Sequence, residues 1–296
     1  MGTRSVLLGG LLALLSLAVF AAGPGAVRKQ VEASMLVTGH VLIEPNGGVS
    51  GWEIDRREKL PAAVIELVER SASAWRFEPV MVDGKARNAR ARMSLRVVAK
   101  RVEGDNDSYR ITIRGGYFGE EAMTAEERKT LALADRVQGI EMKPPTYPRS
   151  AWQAGVHGTV YLVLKINREG AVDDVVSEQV NLKVIGSEQQ MKSMRGALER
   201  SAMSAARKWR FRIPTAGEQA QGPYWSVRVP VDYKFEDENA PGYGEWEAYV
   251  PGPRQEKMPW HMEDLDGFDI PPDALIAGQV YQVGDGLKLL TALSGS

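Results

Sequence analysis

Cysteine is absent from the 296 residues. No disulfide staples the fold, so stability must come from packing alone. Histidine is scarce: His40, His157 and His261 each stand isolated. A metal site needs closely spaced His or Cys partners, so these three read as surface or strand-end residues, and no metal or cofactor is expected. There is no Gly-x-Ser-x-Gly elbow, no His-Glu-x-x-His pair and no phosphate-cradling Gly-rich loop with Lys. The pair Asp173-Asp174 follows a turn, where successive strand residues face opposite ways; it reads as a solvated strand end and not as an acid–base pair. No catalytic residue is assigned, and the chain is not read as an enzyme. Net charge is lacking as well: the formal value is −1 and the pI is near 6.4. Without a global basic field, no nucleic-acid partner is expected.

The charge that is present is uneven. Residues 28–103 carry 14 Lys/Arg against 10 Asp/Glu, and residues 236–296 carry 3 against 12. The C-terminal segment is therefore acidic. At the other end, Arg4 precedes an apolar run from Val6 to Ala22, stopped by Gly23-Pro24-Gly25. Residues 1–22 read as a secretory signal with small residues at Ala21 and Ala22. The alternative is a retained anchor giving inner-membrane association through residues 6–22, because about 17 residues is the lower limit for a span. Both readings export the body of the chain.

Past this segment, the pattern repeats. Ser34–Glu44 reads as a strand, Pro45-Asn46-Gly47-Gly48 as a turn and Val49–Asp55 as the returning strand. Pro61 opens a helix with Ala63, Val64, Leu67, Val68 and Ala74 at helical spacings. It ends at Trp75-Arg76-Phe77, Pro79 turns the chain extended, and Ala91–Lys100 forms a third strand. Farther on, a short helix Arg149–Gly155 leads to a strand at Thr159–Ile166, the turn Asn167-Arg168-Glu169-Gly170 and a strand at Ala171–Val180. A helix over Gln189–Lys208 follows, with Met191, Met194, Leu198, Ala202 and Ala205 on one face. Trp209-Arg210-Phe211 ends it, and Tyr224–Phe235 is the last strand. Its Val227, Val229 and Val231 share one face, with Ser226, Arg228 and Asp232 on the other. Pro230 cannot donate to a ladder, which implies a free edge or a bulge there.

Trp75 to Met93 and Trp209 to Val227 span the same number of residues, which points to duplication. The fold class is α+β, with two β-β-α-β domains and an acidic, largely irregular tail. The boundaries fall at 34–102, a linker with helix at 103–139, then 140–236, with the tail at 237–296. The linker contains a strand at Tyr109–Arg114 and a helix at Thr124–Val137, opened by the capping box Thr124-Ala125-Glu126-Glu127. In the tail, only Ala277–Val283 reads as a strand. Trp75 and Trp209 read as core residues, and Arg76 and Arg210 suit helix C-termini. The basic face of Arg87, Arg90, Arg92 and Arg96 reads as solvated or as facing the acidic tail.

The order Pro145-Thr146-Tyr147-Pro148, Ala151, Gly155, Gly158-Thr159-Val160, Gly170-Ala171-Val172, Ala205 through Phe211 and Val229-Pro230-Val231 resembles the C-terminal domain of TonB proteins. It covers residues 142–236, and the first unit looks like a degenerate copy without the Tyr-Pro helix. The resemblance implies capture of a segment of an outer-membrane transporter, or of another envelope protein, by β-augmentation along the last strand. Carried over, the partner-binding residues are Tyr147, Pro148, Tyr224, Trp225, Val227, Val229 and Val231. Homodimerisation through the same edges is a further expectation. Three departures favour a periplasmic binding module over an inner-membrane energy transducer for siderophore or nutrient uptake. Pro144 stands where the family has Gln, Val6–Ala22 holds no His, and no Pro-rich spacer follows it.

Overall fold

The computed structural model describes residues 31–102, 108–124, 127, 134–235, 241–255, 258–260, 270–284 and 286–294. The apolar run Val6–Ala22 and most of the helix expected over Thr124–Val137 lie outside the described residues. The Thr124–Glu127 box itself is formed: Thr124 N donates to Glu127 Oε2 at 2.8 Å and Glu127 N to Thr124 Oγ1 at 3.3 Å.

In the first unit, β1 (Glu32–Ile43) alternates, with Met35, Val37, Val41 and Ile43 on the core side. A turn leads to β2 (Val49–Ile54). Helix α1 (Ala62–Ala74) buries Val64, Leu67, Val68 and Ala72. Ala63 and Ala74, expected on that face, are exposed, because the buried stripe is centred one position off theirs. The short strands β3 (Met81–Val82) and β4 (Lys85–Ala86) flank Asp83 and Gly84. Both turn residues have positive φ, 52° and 71°, as a two-residue hairpin loop requires. Strands β5 (Ala89–Arg101) and β6 (Tyr109–Phe118) complete the unit.

The second unit runs β7 (Gln138–Glu141), α2 (Arg149–Gln153), β8 (Gly158–Ile166), β9 (Val172–Leu182), α3 (Glu188–Ala206), β10 (Arg210–Arg212) and β11 (Trp225–Tyr233). Ser187 caps α3 in a capping box with Gln190. Its core face is Met191, Leu198, Ala202 and Ala206, with Met194 and Ala205 half-buried. The tail supplies β12 (Glu247–Tyr249) and β13 (Tyr281–Gln282), in place of the single strand expected over Ala277–Val283. Sheet order is β12-β1-β5-β6, with β2 also on β1, in the first unit, and β13-β11-β8-β9 in the second. Each sheet packs one face on its own helix, giving two separate cores.

The two Trp-Arg-Phe joints share their geometry at the level of single atoms. Phe77 N donates to Gly47 O and Phe211 N to Gly170 O, both at 2.8 Å. The two glycines have φ of 80° and 74°, and a Cβ on either would lie 2.0 Å from the Phe carbonyl oxygen. Glycine is therefore demanded twice by the same close approach. Arg76 Nη1 donates to Trp75 O, and Arg210 Nη1 to Trp209 O, at 2.9 and 3.2 Å. Both indoles are buried, and each N–H finds a carbonyl: Trp75 Nε1 to Leu293 O at 3.0 Å, Trp209 Nε1 to Lys143 O at 2.8 Å.

Those two carbonyls come from opposite directions in the chain. In the second unit, β10 pairs with β7, Phe211 opposite Gly139, and Lys143 follows on the same lead-in segment. In the first unit, Phe77 pairs with Leu289, and Leu293 lies the same four residues beyond. Leu290 N donates to Arg76 O at 2.7 Å and Glu78 N to Lys288 O at 3.0 Å. The first unit is thus completed by the C-terminus of the chain, which takes the place that residues preceding α2 take in the second.

The tail also lies between the two sheets on their helix-free faces. Ser94 Oγ donates to Ala274 O and Arg96 Nε to Asp273 O, both at 2.7 Å. Arg114 donates to the Tyr249 hydroxyl at 2.8 Å and ion-pairs with the buried Glu32, and the Tyr249 hydroxyl donates to Asp273 at 3.2 Å. Burial and the neighbouring Asp273 push the Tyr249 phenol well above its ordinary range. Of the basic face, Arg90 pairs with Glu53 and Arg92 with Asp55 and Glu127, so Arg96 is the member that meets the tail.

Candidate strand-docking edge

The last strand of the second unit, β11, is buried along almost its whole length, and its odd and even residues have different fates. Trp225, Val227, Val229 and Val231 are 2%, 0%, 2% and 8% exposed and face α3. The Trp225 indole donates to Gln219 O at 2.9 Å. These side chains are consumed by the core, so at these positions β11 offers a partner no side chain. Tyr233 continues the row, its hydroxyl donating to Leu198 O at 3.1 Å, and burial pushes its phenol up to about 12.

The even face, to which the sequence assigns Ser226, Arg228 and Asp232, is mostly covered. Arg228 is 1% exposed and pairs with the buried Glu178 at 2.8 Å, which Arg254 of the tail also contacts at 3.1 Å. The Trp260 indole donates to Ser226 Oγ at 3.1 Å, and the Tyr224 hydroxyl to Trp260 O at 3.2 Å. Tyr224 also carries the Lys165 ammonium 4.8 Å from its ring centre. Only Asp232 and Lys234 are exposed on this strand.

The backbone alternates too, sideways within the sheet. Along its inner side β11 pairs with β8 from Trp225–Ile166 to Tyr233–Gly158. On its outer side Ser226 O accepts from Val283 N and Pro230 O from Gly278 N, each at 3.0 Å. A residue's N–H and C=O point to the same side of an antiparallel strand, so Ser226, Arg228, Pro230 and Asp232 face outward. The N–H that Pro230 lacks is therefore on the outer side, and the β8 ladder is intact.

That outer side is partly occupied. β13 pairs Gln282 with Val227 and Tyr281 with Arg228. Below Pro230, no strand lies against Val231–Phe235 among the described residues. Tyr147 flanks this open end: its ring packs edge-on to Tyr233 at 5.3 Å and stacks on Phe235 at 5.4 Å. Pro148, the N-cap of α2, is extended and half-buried beside it. The structure therefore brings Tyr147, Pro148 and the end of β11 together, and it sets Tyr224 and Trp225 at the far, covered end. Phe235 joins the aromatic group; its place two residues beyond Tyr233 on a strand was the signal for it. The occupant at 276–283 carried a strand signal but no sign of its neighbour.

Elsewhere, at the exposed start of β9, Asp173 accepts from Asn167 at 2.7 Å and Asp174 from the Val175 amide at 2.8 Å. No group of three or more His, Asp or Glu close enough to hold a metal ion occurs among the described residues. No helix of the described residues is long and apolar enough to cross a membrane.

The second unit is thus a four-stranded sheet, β13-β11-β8-β9, with α3 packed on one face and Tyr147-Pro148 beside the end of β11. Residues 143–235 match the family model of the Gram-negative bacterial TonB protein C-terminal domain. Protein TonB from two strains of Xanthomonas campestris pv. campestris is 39% identical over 98 residues, covering 33% of this chain. The chain spans 37% of the length of those relatives. The solution NMR structure of the Pseudomonas aeruginosa TonB C-terminal domain is matched at 24% identity and a TM-score of 0.25, over 36% of this chain and 95% of that one.

Proposed function

We propose that the second unit is a TonB-like binding module of the cell envelope, exposed to the periplasm, that pairs the outer edge of β11 with an extended segment of a TonB-dependent outer-membrane transporter. The observation that carries this reading is the outward-facing backbone at Asp232, near the open end of β11 and beside the Tyr147 ring. An unpaired edge offers N–H and C=O groups to any extended peptide, so affinity comes from the main chain and selection from the flanking pockets. Tyr147 and Pro148 supply that flank. Lys143, Pro144, Thr146, Ser201, Lys208 and Trp209 line a cleft of about 340 Å³ on the same side of the unit. The role is binding and not catalysis.

The test is a titration of the full chain, labelled for NMR, with synthetic peptides spanning the periplasm-facing N-termini of outer-membrane transporters from the same cell. Shifts should concentrate at Val231–Phe235 and Tyr147. Shifts confined to the first unit, or none with any peptide, would remove this reading. A second reading, a membrane-anchored energy transducer, is favoured by the apolar run Val6–Ala22. Intact Met1 in a carbonate-resistant membrane fraction would select it; a mature chain lacking residues 1–22 would exclude it.

A further inference from the structure

We propose that residues 276–284 are a removable cover over the docking edge of β11, carried by the first unit, so that separating the two units uncovers the edge. The inference rests on the docking role proposed for β11 and concerns its regulation.

The same edge exists in both units and is closed in different ways. In the first, β5 is the counterpart of β11, and its outer side pairs with the ten-residue β6 from Met93–Phe118 to Arg101–Tyr109. In the second, the corresponding side holds a two-residue strand, with the Gly278–Pro230 and Val283–Ser226 bonds at its ends. A ladder this short can be exchanged for another; one of ten residues cannot without dismantling the sheet.

The segments on either side of the cover are attached to the other unit. Just before it, Asp273 and Ala274 are held by Arg96 and Ser94 of β5. Tyr281, fully buried, packs with Leu275 and Ala274 against Tyr117 of β6 and Ala122. Its hydroxyl donates to Ile276 O at 2.7 Å, closing the cover on itself. Just after it, Leu287 N donates to Phe118 O at 3.0 Å, and residues 288–293 fill the groove along Arg76–Glu78. To the second unit the cover gives its backbone bonds to β11, the Gln282 side chain, which accepts from Val137 N at 3.3 Å, Val280 packed against the core under α3, and Val283 packed against Val163 and Trp260. Because both flanks are tied to the first unit, the cover is drawn off β11 with it if the units part.

Opening also changes what a partner can gain. With the cover in place, the groups at Asp232 and Lys234 remain, enough for a short pairing. With it gone, Ser226, Arg228 and Pro230 join them, and the edge runs the length of the strand. Affinity for an extended segment is thereby tied to the distance between the units.

The experiment uses the full chain throughout. Val227 and Gln282 are register partners of the type that exchanges no bonds, with Cα atoms about 4.5 Å apart, within reach of a disulfide. The chain has no cysteine, so V227C/Q282C creates the only thiols and locks the cover when oxidised. Val283→Pro removes one cover donor and should weaken its hold about fivefold. Hydrogen exchange is read at Gly278 and Tyr281, with Leu164 and Leu95 as core references. Cover amides should exchange at least about tenfold faster than the references, and about fivefold faster again in V283P. A labelled peptide of sequence IAGQVYQVG, residues 276–284, should bind V283P about fivefold tighter than wild type, fail on the oxidised lock, and return on reduction. Cover amides as slow as the core, or equal binding by oxidised and reduced lock, would overturn the cover. The exchange arm needs no partner, so it can fail while docking at Asp232–Lys234 survives. If cover amides are fast but transporter peptides bind neither wild type nor V283P, the docking function falls and the cover's regulatory role with it.

Discussion

Proline placed at two nearby positions of β11 separates the outer edge from the inner ladder. Val229 is opposite Leu162, its N–H directed to β8 and its side chain 2% exposed. Val229→Pro removes that bond and leaves a buried carbonyl without its donor, which costs about 2 kcal/mol. Forcing a ring into the valine site adds about 1 kcal/mol, for a total near 3 kcal/mol. Asp232 faces outward, and its side chain accepts one bond from Thr159 Oγ1 at 2.5 Å at the surface. Asp232→Pro therefore costs about 1 kcal/mol or less in stability while removing the open end's first N–H donor. Urea unfolding followed by tryptophan fluorescence gives the two stabilities, and peptide titration gives the binding. The expected pattern is a large loss of stability for V229P, and for D232P near-native stability with binding about fivefold weaker. Equal destabilisation by the two would mean that the sideways alternation assigned to β11 is wrong.

Three further outcomes follow from the packing. Trp75→Phe and Trp209→Phe each remove one indole donor and some buried area, so both should cost about 2 kcal/mol, measured by urea unfolding; a clearly unequal pair would contradict the equivalence of the two joints. Arg228→Met leaves the buried Glu178 carboxylate with Arg254 as a partner and should cost about 3 kcal/mol, much of it recovered in the double variant with Glu178→Met; no recovery would mean the ion pair is not what Arg228 contributes. Burial, with Arg90 and Arg92 nearby, holds the His40 imidazole below its ordinary value. The unfolded state then binds more protons, so this contribution to stability is whole above about pH 6.5 and is lost as pH falls through the folded value. A His40→Gln chain should show a shallower loss between pH 7 and 5; an unchanged slope would place the acid sensitivity elsewhere.

What was legible in the sequence was what is local. Trp-Arg-Phe, the glycines at 47 and 170 and the periodicity of β8, β9 and α3 are each written within a few residues of where they act. Helix α1 shows the limit of this: its pattern was seen, but Ala63 and Ala74 carry too little apolar surface to mark which side turns inward. The tail was illegible for a different reason. Tyr249, Leu275 and Tyr281 are isolated among Pro, Gly and acidic residues, with no period to read, and their partners lie over a hundred residues away. Leu289 and Leu293 complete a strand whose lead-in segment would be sought before it, not at the other end of the chain. For the same reason the burial of Ser226 and Arg228 was not legible: a strand's alternation says which face a residue is on, not what later covers it. Val227, Val229 and Val231 place their side chains in the core, so the docking role proposed for β11 rests on the outward backbone of the even residues.

The central claim is that a partner strand meets the chain at the lower end of β11. Site-specific photo-cross-linking in intact cells tests it most directly, with the reactive residue at Lys234 in the full chain and at Arg87 as a control on the first unit. The account predicts an adduct with an outer-membrane transporter from position 234, lost in the D232P background, and none from position 87. Adducts from position 87 alone, or the same adducts from both, would contradict it.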